Sequence, residues 1–282
     1  MHILNSARLS GGLLAAIVCF GGLAVESRAE FFVEDVEFNE KVKRIAVLPA
    51  RIEIEVDDPY LSALEFDRLV TEYLDTTGID YIPVQTYIEK RNETSLALGG
   101  SYDIYTGELD VEKAETIEDL TFREFERIHE FDAYLIPSIV EVIAPFYGNE
   151  TKWDGVERFS TGGETGLLSG VGNLRGGMPA SSFLGVLIDK TEADTTYFAN
   201  RSGIELLTFV KQNMFGVSYV LREPPDRLNN TELNREAVET ALMPLVDALA
   251  KSNGTPQSDT VESETASSEA MVEPTAETEE QE

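Results

Sequence analysis

The sequence predicts a domain of mixed α/β class, in which strands and helices alternate along one chain. Residues 43–50 run from a basic stretch into four consecutive apolar residues and Pro49, the pattern of a buried strand. An amphipathic segment at 61–77 and a short apolar segment at 80–85 follow, which predicts a β-α-β unit. Residues 133–145 are rich in Ile and Val and predict a long central strand. The predicted fold is therefore α/β (α+β), with a mixed β-sheet, an N-terminal β-α-β unit, a C-terminal antiparallel hairpin and a closing helix.

Helical periodicity predicts three helices, at residues 61–77, 87–98 and 233–249. Gly78 is placed to cap the first of them, and Pro244 lies inside the last, where it would kink or restart the helix. Thr121 and Glu124 match a capping box, so a further helix is expected to begin at Thr121. Residues 101–119, just before it, are predicted to form a loop with a weak helix.

Strand patterns recur at residues 30–40, 151–159, 182–190 and 195–201. The first is expected to be an edge strand or an ordered arm. The second follows a turn at Gly148-Asn149 and is expected to lie antiparallel to the central strand, and the last two predict a hairpin. Residues 204–221 fit a strand or a helix, and both stay open. Residues 160–181 are rich in glycine without periodicity and predict a loop.

The N-terminal residues have the features of a secretory signal peptide. A basic residue precedes an apolar stretch, and residues 27–29 place small side chains at the two positions that a signal peptidase reads. We predict a signal peptide at 1–29, with cleavage after Ala24 as the alternative. The only cysteine, Cys19, follows Val18, which is bulkier than a lipoprotein signal requires, so lipidation is not expected. After cleavage we expect no disulfide and no transmembrane segment.

Charge is strongly unbalanced along the chain. It carries 52 acidic and 22 basic side chains, for a formal charge of -30. Nucleic acids and anionic membranes are bound through Lys and Arg, so this balance argues against a nucleic-acid partner. Residues 252–282 contain nine acidic and no basic residues, and they predict an acidic, disordered tail. The predicted domains are the signal peptide at 1–29, a single envelope domain at 30–251 and the tail at 252–282.

The residue types that most enzyme sites require are scarce. Only His2 and His129 occur, and His2 lies in the predicted signal peptide, so a zinc site or a Cys-His pair lacks its parts. Ser169 lies between glycines with the wrong spacing for a nucleophile elbow, and no phosphate-binding or calcium-binding loop occurs. Carboxylates are abundant, but no spacing selects a catalytic pair. We therefore predict no enzyme activity, no cofactor and no metal.

Aromatic and glycine residues between positions 147 and 172 form the candidate partner-contact region. Its members are Tyr147, Trp153, Phe159, Gly162, Gly163, Gly170 and Gly172. The aromatic rings offer a contact patch, with cross-strand packing in the core as the alternative. The glycines would give the backbone of a loop its freedom.

The order of these motifs resembles a known group of proteins. The motifs are Arg44-Ile-Ala-Val-Leu-Pro49, a helix ending in Thr77-Gly78, the strand at 80–84, Asp132-Ala-Tyr-Leu135 before the long strand, and the closing Ala-Leu-x-Pro-Leu helix. Together they resemble the periplasmic α/β domains of the superfamily that includes the TolB N-terminal domain, CsgG and small bacterial envelope lipoproteins. The resemblance covers about residues 42–251. It implies a Gram-negative envelope protein that binds partners in assembly or export complexes, and no active-site residue is carried over.

These observations predict a non-catalytic, exported component of the cell envelope. Its location is expected to be the periplasm, with association with the outer membrane as an alternative. Its expected partners are envelope proteins, unidentified, and the oligomeric state is open. Two other functions stay possible: a soluble periplasmic protein that binds a small ligand, and a carboxylate-dependent glycan hydrolase.

Deleting residues 252–282 is expected to leave the melting temperature of the domain unchanged, because so polar a segment buries too little apolar surface to stabilise it. Circular dichroism melts of the full and shortened chains check this. A clear decrease would show that the segment docks on the domain.

Overall fold

The fold was analysed in a computed structural model of the chain, which describes residues 29–103, 105–148, 150–159, 175–192, 194–213 and 216–252. Helices and strands are mixed along this part of the chain, which confirms the predicted class. The predicted signal peptide with Cys19 and nearly all of the predicted tail lie outside the described residues.

A mixed β-sheet forms the centre of the molecule. The strands are β1 (Glu30–Phe31), β2 (Ile45–Val47), β3 (Arg51–Ile52), β4 (Tyr81–Ile82), β5 (Ala133–Tyr147), β6 (Glu150–Trp153), β7 (Val156–Phe159), β8 (Arg175–Asp189), β9 (Thr196–Leu206), β10 (Thr208–Asn213) and β11 (Gly216–Leu221). The main sheet has the order β1-β9-β8-β5-β2-β4, with β3 and β6 also beside β5 and β7 beside β6. β2 runs parallel to β4 and β5, whereas β8 runs antiparallel to β5 and β9. β10 and β11 form a separate hairpin.

Five α-helices are described, besides a short 3-10 helix at Pro224–Asp226. They are α1 (Asp35–Lys41), α2 (Pro59–Thr77), α3 (Val84–Ala97), α4 (Val111–Ile128) and α5 (Thr231–Ser252). α2 begins where the Asp58 side chain accepts a hydrogen bond from the Leu61 amide, and it ends at Gly78 with φ of 69°, as predicted. α5 continues through Pro244 as one helix. None of the described helices combines the length and the apolar character needed to cross a lipid bilayer.

Helices pack on both faces of the sheet. Because side chains alternate along β5, Leu135 faces a core shared with α1, α2 and α5, whereas Tyr134 and Ile136 face α3 and α4. Gly185 of β8 lets α5 approach closely, since a Cβ there would lie 2.7 Å from Leu242 Cδ2. The structure is thus a three-layer arrangement around the β-α-β unit and the hairpin that the sequence predicts.

The predicted start of the fourth helix is wrong. α4 begins at Val111, where the Asp110 side chain caps it by accepting a hydrogen bond from the Lys113 amide. Thr121 is buried inside the helix, and its hydroxyl donates to the Ile117 carbonyl at 2.7 Å. Its hydroxyl therefore bonds within the helix and caps nothing.

Three other segments differ from their predicted boundaries. Only two residues of the 30–40 segment form an edge strand, and α1 follows them. The 204–221 segment, left open between helix and strand, is β-structure. Residues 175–181 of the predicted glycine-rich loop belong to β8, because they pair with residues 141–147 of β5.

The end of the domain also shifts by one residue. Ser252 was assigned to the tail, but it is the last residue of α5. The Lys43 ammonium donates to the Ser252 carbonyl oxygen at 2.9 Å. The Ser252 hydroxyl donates to the carbonyl oxygens of Asn39 and Val42, each at 3.0 Å. The tail deletion should therefore begin at residue 253, since Ser252 fastens α5 to α1 and to the start of β2.

One buried carboxylate fastens α2 to the segment between β2 and β3. Asp67 is only 6% exposed, and its Oδ1 accepts a hydrogen bond of 2.7 Å from the Ala50 amide. Burial raises the pKa of Asp67 from 3.8 to about 6, and the hydrogen bond from Ala50 opposes this increase. Because the folded-state pKa is the higher one, the contribution of Asp67 to stability is full below pH 3.8 and is lost as the pH rises through about 6.

Replacing this carboxylate, Asp67→Asn, is expected to raise the free energy of unfolding at pH 7 by about 1–3 kcal/mol, because the ionised form no longer has to be buried. Near pH 4 the difference from the wild type should shrink to below about 1 kcal/mol. Urea unfolding of both proteins at the two pH values measures this. An equal difference in unfolding free energy at the two pH values would contradict the raised pKa of Asp67.

Candidate partner-contact surface

The long pairing of β5 with β8 carries both strands beyond the helical layers. Both strands have 15 residues and pair along their whole length, from Ala133 opposite Asp189 to Tyr147 opposite Arg175. We call residues 141–147 and 175–181 the distal sheet. One face of the distal sheet is buried, with Ala144 and Phe146 in small apolar clusters, and the other is exposed.

The hairpin of β6 and β7 covers the buried face. Its turn residues Asp154 and Gly155 have φ of 42° and 79°, the positive values that a two-residue type I′ turn requires. Trp153, just before the turn, is 5% exposed and packs with Val156. Its Nε1 donates to the Ser181 carbonyl at 3.3 Å, so the hairpin is held against β8.

The turn is also held by polar contacts to β8 and β9. Asp154 is 8% exposed, and its Oδ2 accepts a hydrogen bond of 2.7 Å from the Ser182 hydroxyl. Its carbonyl accepts from the Gly203 amide at 3.1 Å, and Arg201 Nε lies 3.8 Å from its Oδ1. The carboxylate is therefore partnered on both oxygens, which explains how this turn can be buried.

Two of the predicted contact residues lie together on the exposed face. Tyr147 pairs with Glu150, and Glu150 pairs with Phe159, so the three side chains form one row and point to the same side of the sheet. Tyr147 is 54% exposed and Phe159 is 61% exposed. The Arg175 guanidinium lies 4.8 Å from the centre of the Tyr147 ring. These residues are available to a partner.

The other predicted contact residues lie elsewhere. Trp153 is on the opposite face and buried, so its side chain packs in the core, which was the alternative interpretation. Gly162, Gly163, Gly170 and Gly172 lie outside the described residues.

The backbone groups of successive β5 residues point alternately toward β8 and away from it. The carbonyl oxygens of Leu135 and Ile139 point away from β8. On that side they accept 2.9 Å hydrogen bonds from the amides of Leu48 and Glu53. Tyr147 pairs with β6 on this same side. Since direction alternates along a strand, the odd-numbered residues of β5 all point their backbone groups away from β8.

This rule leaves part of the outer side of β5 open. Its ladder with β3 ends at Ile139 and its ladder with β6 begins at Phe146. Among the described residues, no strand pairs with the stretch between them on this side. The amides and carbonyls of Glu141 and Ile143 and the carbonyl of Pro145 therefore form an open edge, the name used below for these groups.

Carboxylates flank the open edge. Glu141 lies within it, Glu53 is bonded to Ile139 at one end, Glu150 pairs with Tyr147 at the other, and all three are exposed. Two cations lie nearby: Lys152 is 2.9 Å from Glu157 and 3.9 Å from Glu150, and Arg175 packs against the Tyr147 ring. The edge thus combines unpaired backbone groups, an exposed Ile143 and an acidic rim.

Buried carboxylates elsewhere are bonded to the backbone. Glu205 is 6% exposed, and burial raises its pKa. Its Oε1 accepts a 2.6 Å hydrogen bond from the Leu228 amide, and Arg222 lies 3.5 Å from its Oε2. It thereby anchors the segment after β11.

A cleft lies where β1, α1 and α5 meet. It has a volume of about 260 Å³ and is lined by Phe31, Phe38, Asn39, Pro244, Asp247, Ala248 and Lys251. Ligand pockets typically measure about 300–1,000 Å³, so this cleft suits only a very small ligand. The open edge offers more specific recognition.

Sequence reasoning missed the open edge and the turn at Asp154-Gly155. The dipeptide Asp-Gly between apolar residues is a strong local signal for a two-residue hairpin and could have identified the turn. No local signal identifies an open strand edge, because pairing depends on segments that are distant in sequence.

Replacing Gly203 by Ala is expected to displace the β6-β7 hairpin, because a Cβ there would lie 2.7 Å from Trp153 Nε1 and closer still to Val156. The cost in stability should be about 1–3 kcal/mol. Trp153 is the chain's single tryptophan, so its emission should shift to the red and its quenching by iodide should rise.

Ser202→Ala is the matched control for this substitution. Ser202 is the buried neighbour, and its hydroxyl has no hydrogen-bond partner among the described residues, so its loss should change neither signal. An unchanged spectrum for Gly203→Ala would contradict the docking of the hairpin.

Comparison with known proteins identifies no family. No protein-family model matches the chain, and no curated protein is similar to it in sequence. A solved structure of the PelC dodecamer from Paraburkholderia phytofirmans is similar at 12% identity and a TM-score of 0.31, over 78% of this chain and 93% of that one. A dodecamer of a PelC point variant has 12% identity and a TM-score of 0.30, over 72% of this chain and 88% of that one. Similarity at this level carries no inference about function.

Proposed function

We propose that this chain is a non-catalytic, exported component of the cell envelope that binds another protein through its distal sheet. The single observation that carries the proposal is the open edge of β5 beside an exposed apolar face. Ile143 is 65% exposed and Tyr147 is 54% exposed, next to backbone donors and acceptors that no described strand satisfies. Unpaired edges attract other strands, and proteins usually shorten, charge or cover them.

Other parts of the molecule show how an edge is protected. The outermost strands β1 and β4 have two residues each, too few to template another strand. The hairpin turn at Asp154 covers the Gly203 amide of β9. The open edge of β5 is instead in the middle of the sheet and spans residues 141–145, which supports a role in binding.

The assignment to the envelope rests on the sequence. The apolar N-terminal segment with its small residues before position 30 supports export, and the order of motifs supports a relation to periplasmic α/β domains. A shortage of Lys and Arg supports a protein partner over nucleic acid.

Photo-crosslinking in intact cells of the native organism tests this function. A photoreactive phenylalanine analogue placed at Ile143 should form adducts with one protein or a small set of proteins, which mass spectrometry identifies. Leu96 is the control position, because it is 81% exposed but lies on α3. Ile143→Asp should reduce co-purification of the crosslinked protein at least tenfold. Identical adducts from both positions, or none from Ile143, would refute the proposal.

A further inference from the structure

We propose that the open edge accepts one short, extended, basic segment of the partner as an added β-strand. This inference rests on the proposed function, and it specifies how the partner is recognised. It follows from four features of the edge: its length, its unpaired backbone groups, the direction of the Ile143 side chain, and the charge of the side chains around it.

The length of the edge limits the segment. On one side the Glu53 amide already bonds to the Ile139 carbonyl, and on the other Glu150 already pairs with Tyr147. Strands rise about 3.3 Å per residue, so the space from 141 to 145 takes about five residues of added strand. A longer segment must leave the sheet at both ends.

The backbone groups fix the hydrogen bonds. Glu141 and Ile143 each offer an N–H and a carbonyl, whereas Pro145 offers only its carbonyl. The carbonyls of an antiparallel segment would accept two hydrogen bonds, from the N–H groups of Glu141 and Ile143. Its amides would donate three, to the carbonyls of Glu141, Ile143 and Pro145. Only alternate residues of the segment would bond to β5, because strand geometry has a period of two.

The side chain of Ile143 leaves these groups accessible. A Cβ on Gly177 of β8 would collide with Ile143 Cγ2, so the isoleucine side chain extends toward β8 and away from the open edge. It thereby provides apolar surface beside the edge and does not cover it.

The same edge of a second copy of this chain does not fit the open edge. Antiparallel pairing of two copies centred on Ile143 would place Tyr147 of one copy opposite Ile139 of the other. That position is already taken by β3 and by the Glu53 amide. A free extended segment, which can leave the sheet after five residues, avoids this collision.

Charge selects the chemistry of the segment. Three exposed carboxylates flank the edge: Glu141 lies within it, Glu53 is bonded to Ile139 at one end, and Glu150 pairs with Tyr147 at the other. Lys or Arg on the segment would be attracted to them, and acidic segments would be repelled. Apolar residues on the face shared with Ile143 and Tyr147 would gain contact area. Glu141 and Glu150 point to this same face, so the segment is expected to combine basic and apolar residues on one face, at alternate positions along the strand.

A labelled nine-residue Lys/Val peptide, Lys-Thr-Val-Thr-Lys-Thr-Val-Thr-Lys, is the probe, because every second residue then places Lys or Val on the same face of the added strand. The Glu/Val peptide has Glu in place of each Lys. Fluorescence anisotropy at 0.15 M salt should show saturable binding to the full-length protein, and a Glu/Val peptide should bind at least tenfold more weakly. Hydrogen exchange of the Glu141 and Ile143 amides should slow when the Lys/Val peptide is bound.

Ile143→Pro removes the outward N–H without touching the ladder to β8, as Pro145 already does two residues later. It should weaken binding at least tenfold, whereas Ile143→Val should bind like the wild type. N-methylation of the peptide should weaken binding at every second position only.

Any one of four results would overturn strand addition. They are binding by Ile143→Pro as tight as by the wild type, N-methylation effects without a period of two, unchanged hydrogen exchange at Glu141 and Ile143, and no binding of the Lys/Val peptide. Equal binding of the Glu/Val peptide would overturn the basic character. If crosslinking from Ile143 in cells succeeds while these tests fail, the proposed function stands with another binding geometry. If both fail, the function falls as well.

Discussion

The antiparallel ladder between β5 and β8 is the interaction on which the rest of the structure depends. It joins 15 residues of one strand to 15 of the other in a register without a shift. Its first half lies between helical layers, where Leu135 and Ile136 are buried on opposite faces. Its second half extends past those layers, so one continuous pairing builds both the core and the distal sheet.

The two faces and two edges of the distal sheet have different environments for physical reasons. The β6-β7 hairpin covers one face, because Gly203 leaves room for Trp153 and because Asp154 finds partners on β8 and β9. The opposite face presents Ile143 and Tyr147 to solvent. On the outer side, β3 stops before the open edge and β6 starts after it, so no strand among the described residues pairs with these five backbone groups.

Charge and backbone geometry both limit which segments the open edge can pair with. A formal charge of -30 opposes close approach of other acidic surfaces, and it favours cationic partners over anionic ones. Pro145 removes one amide from the open edge, which weakens pairing with unrelated strands. Both features favour selective recognition over aggregation.

The sequence by itself determined the fold class, the β-α-β unit, the central strand and the 182–201 hairpin, because periodicity and turn chemistry are local properties. It did not determine which residue caps α4, since Thr121 and Asp110 offer similar local chemistry and only packing decides between them. Of the candidate contact residues, Tyr147 and Phe159 are exposed, whereas Trp153 is buried by the docking of its own hairpin. The open edge was decided by tertiary structure alone, because whether Glu141 and Ile143 are paired depends on where β3 and β6 end beside β5.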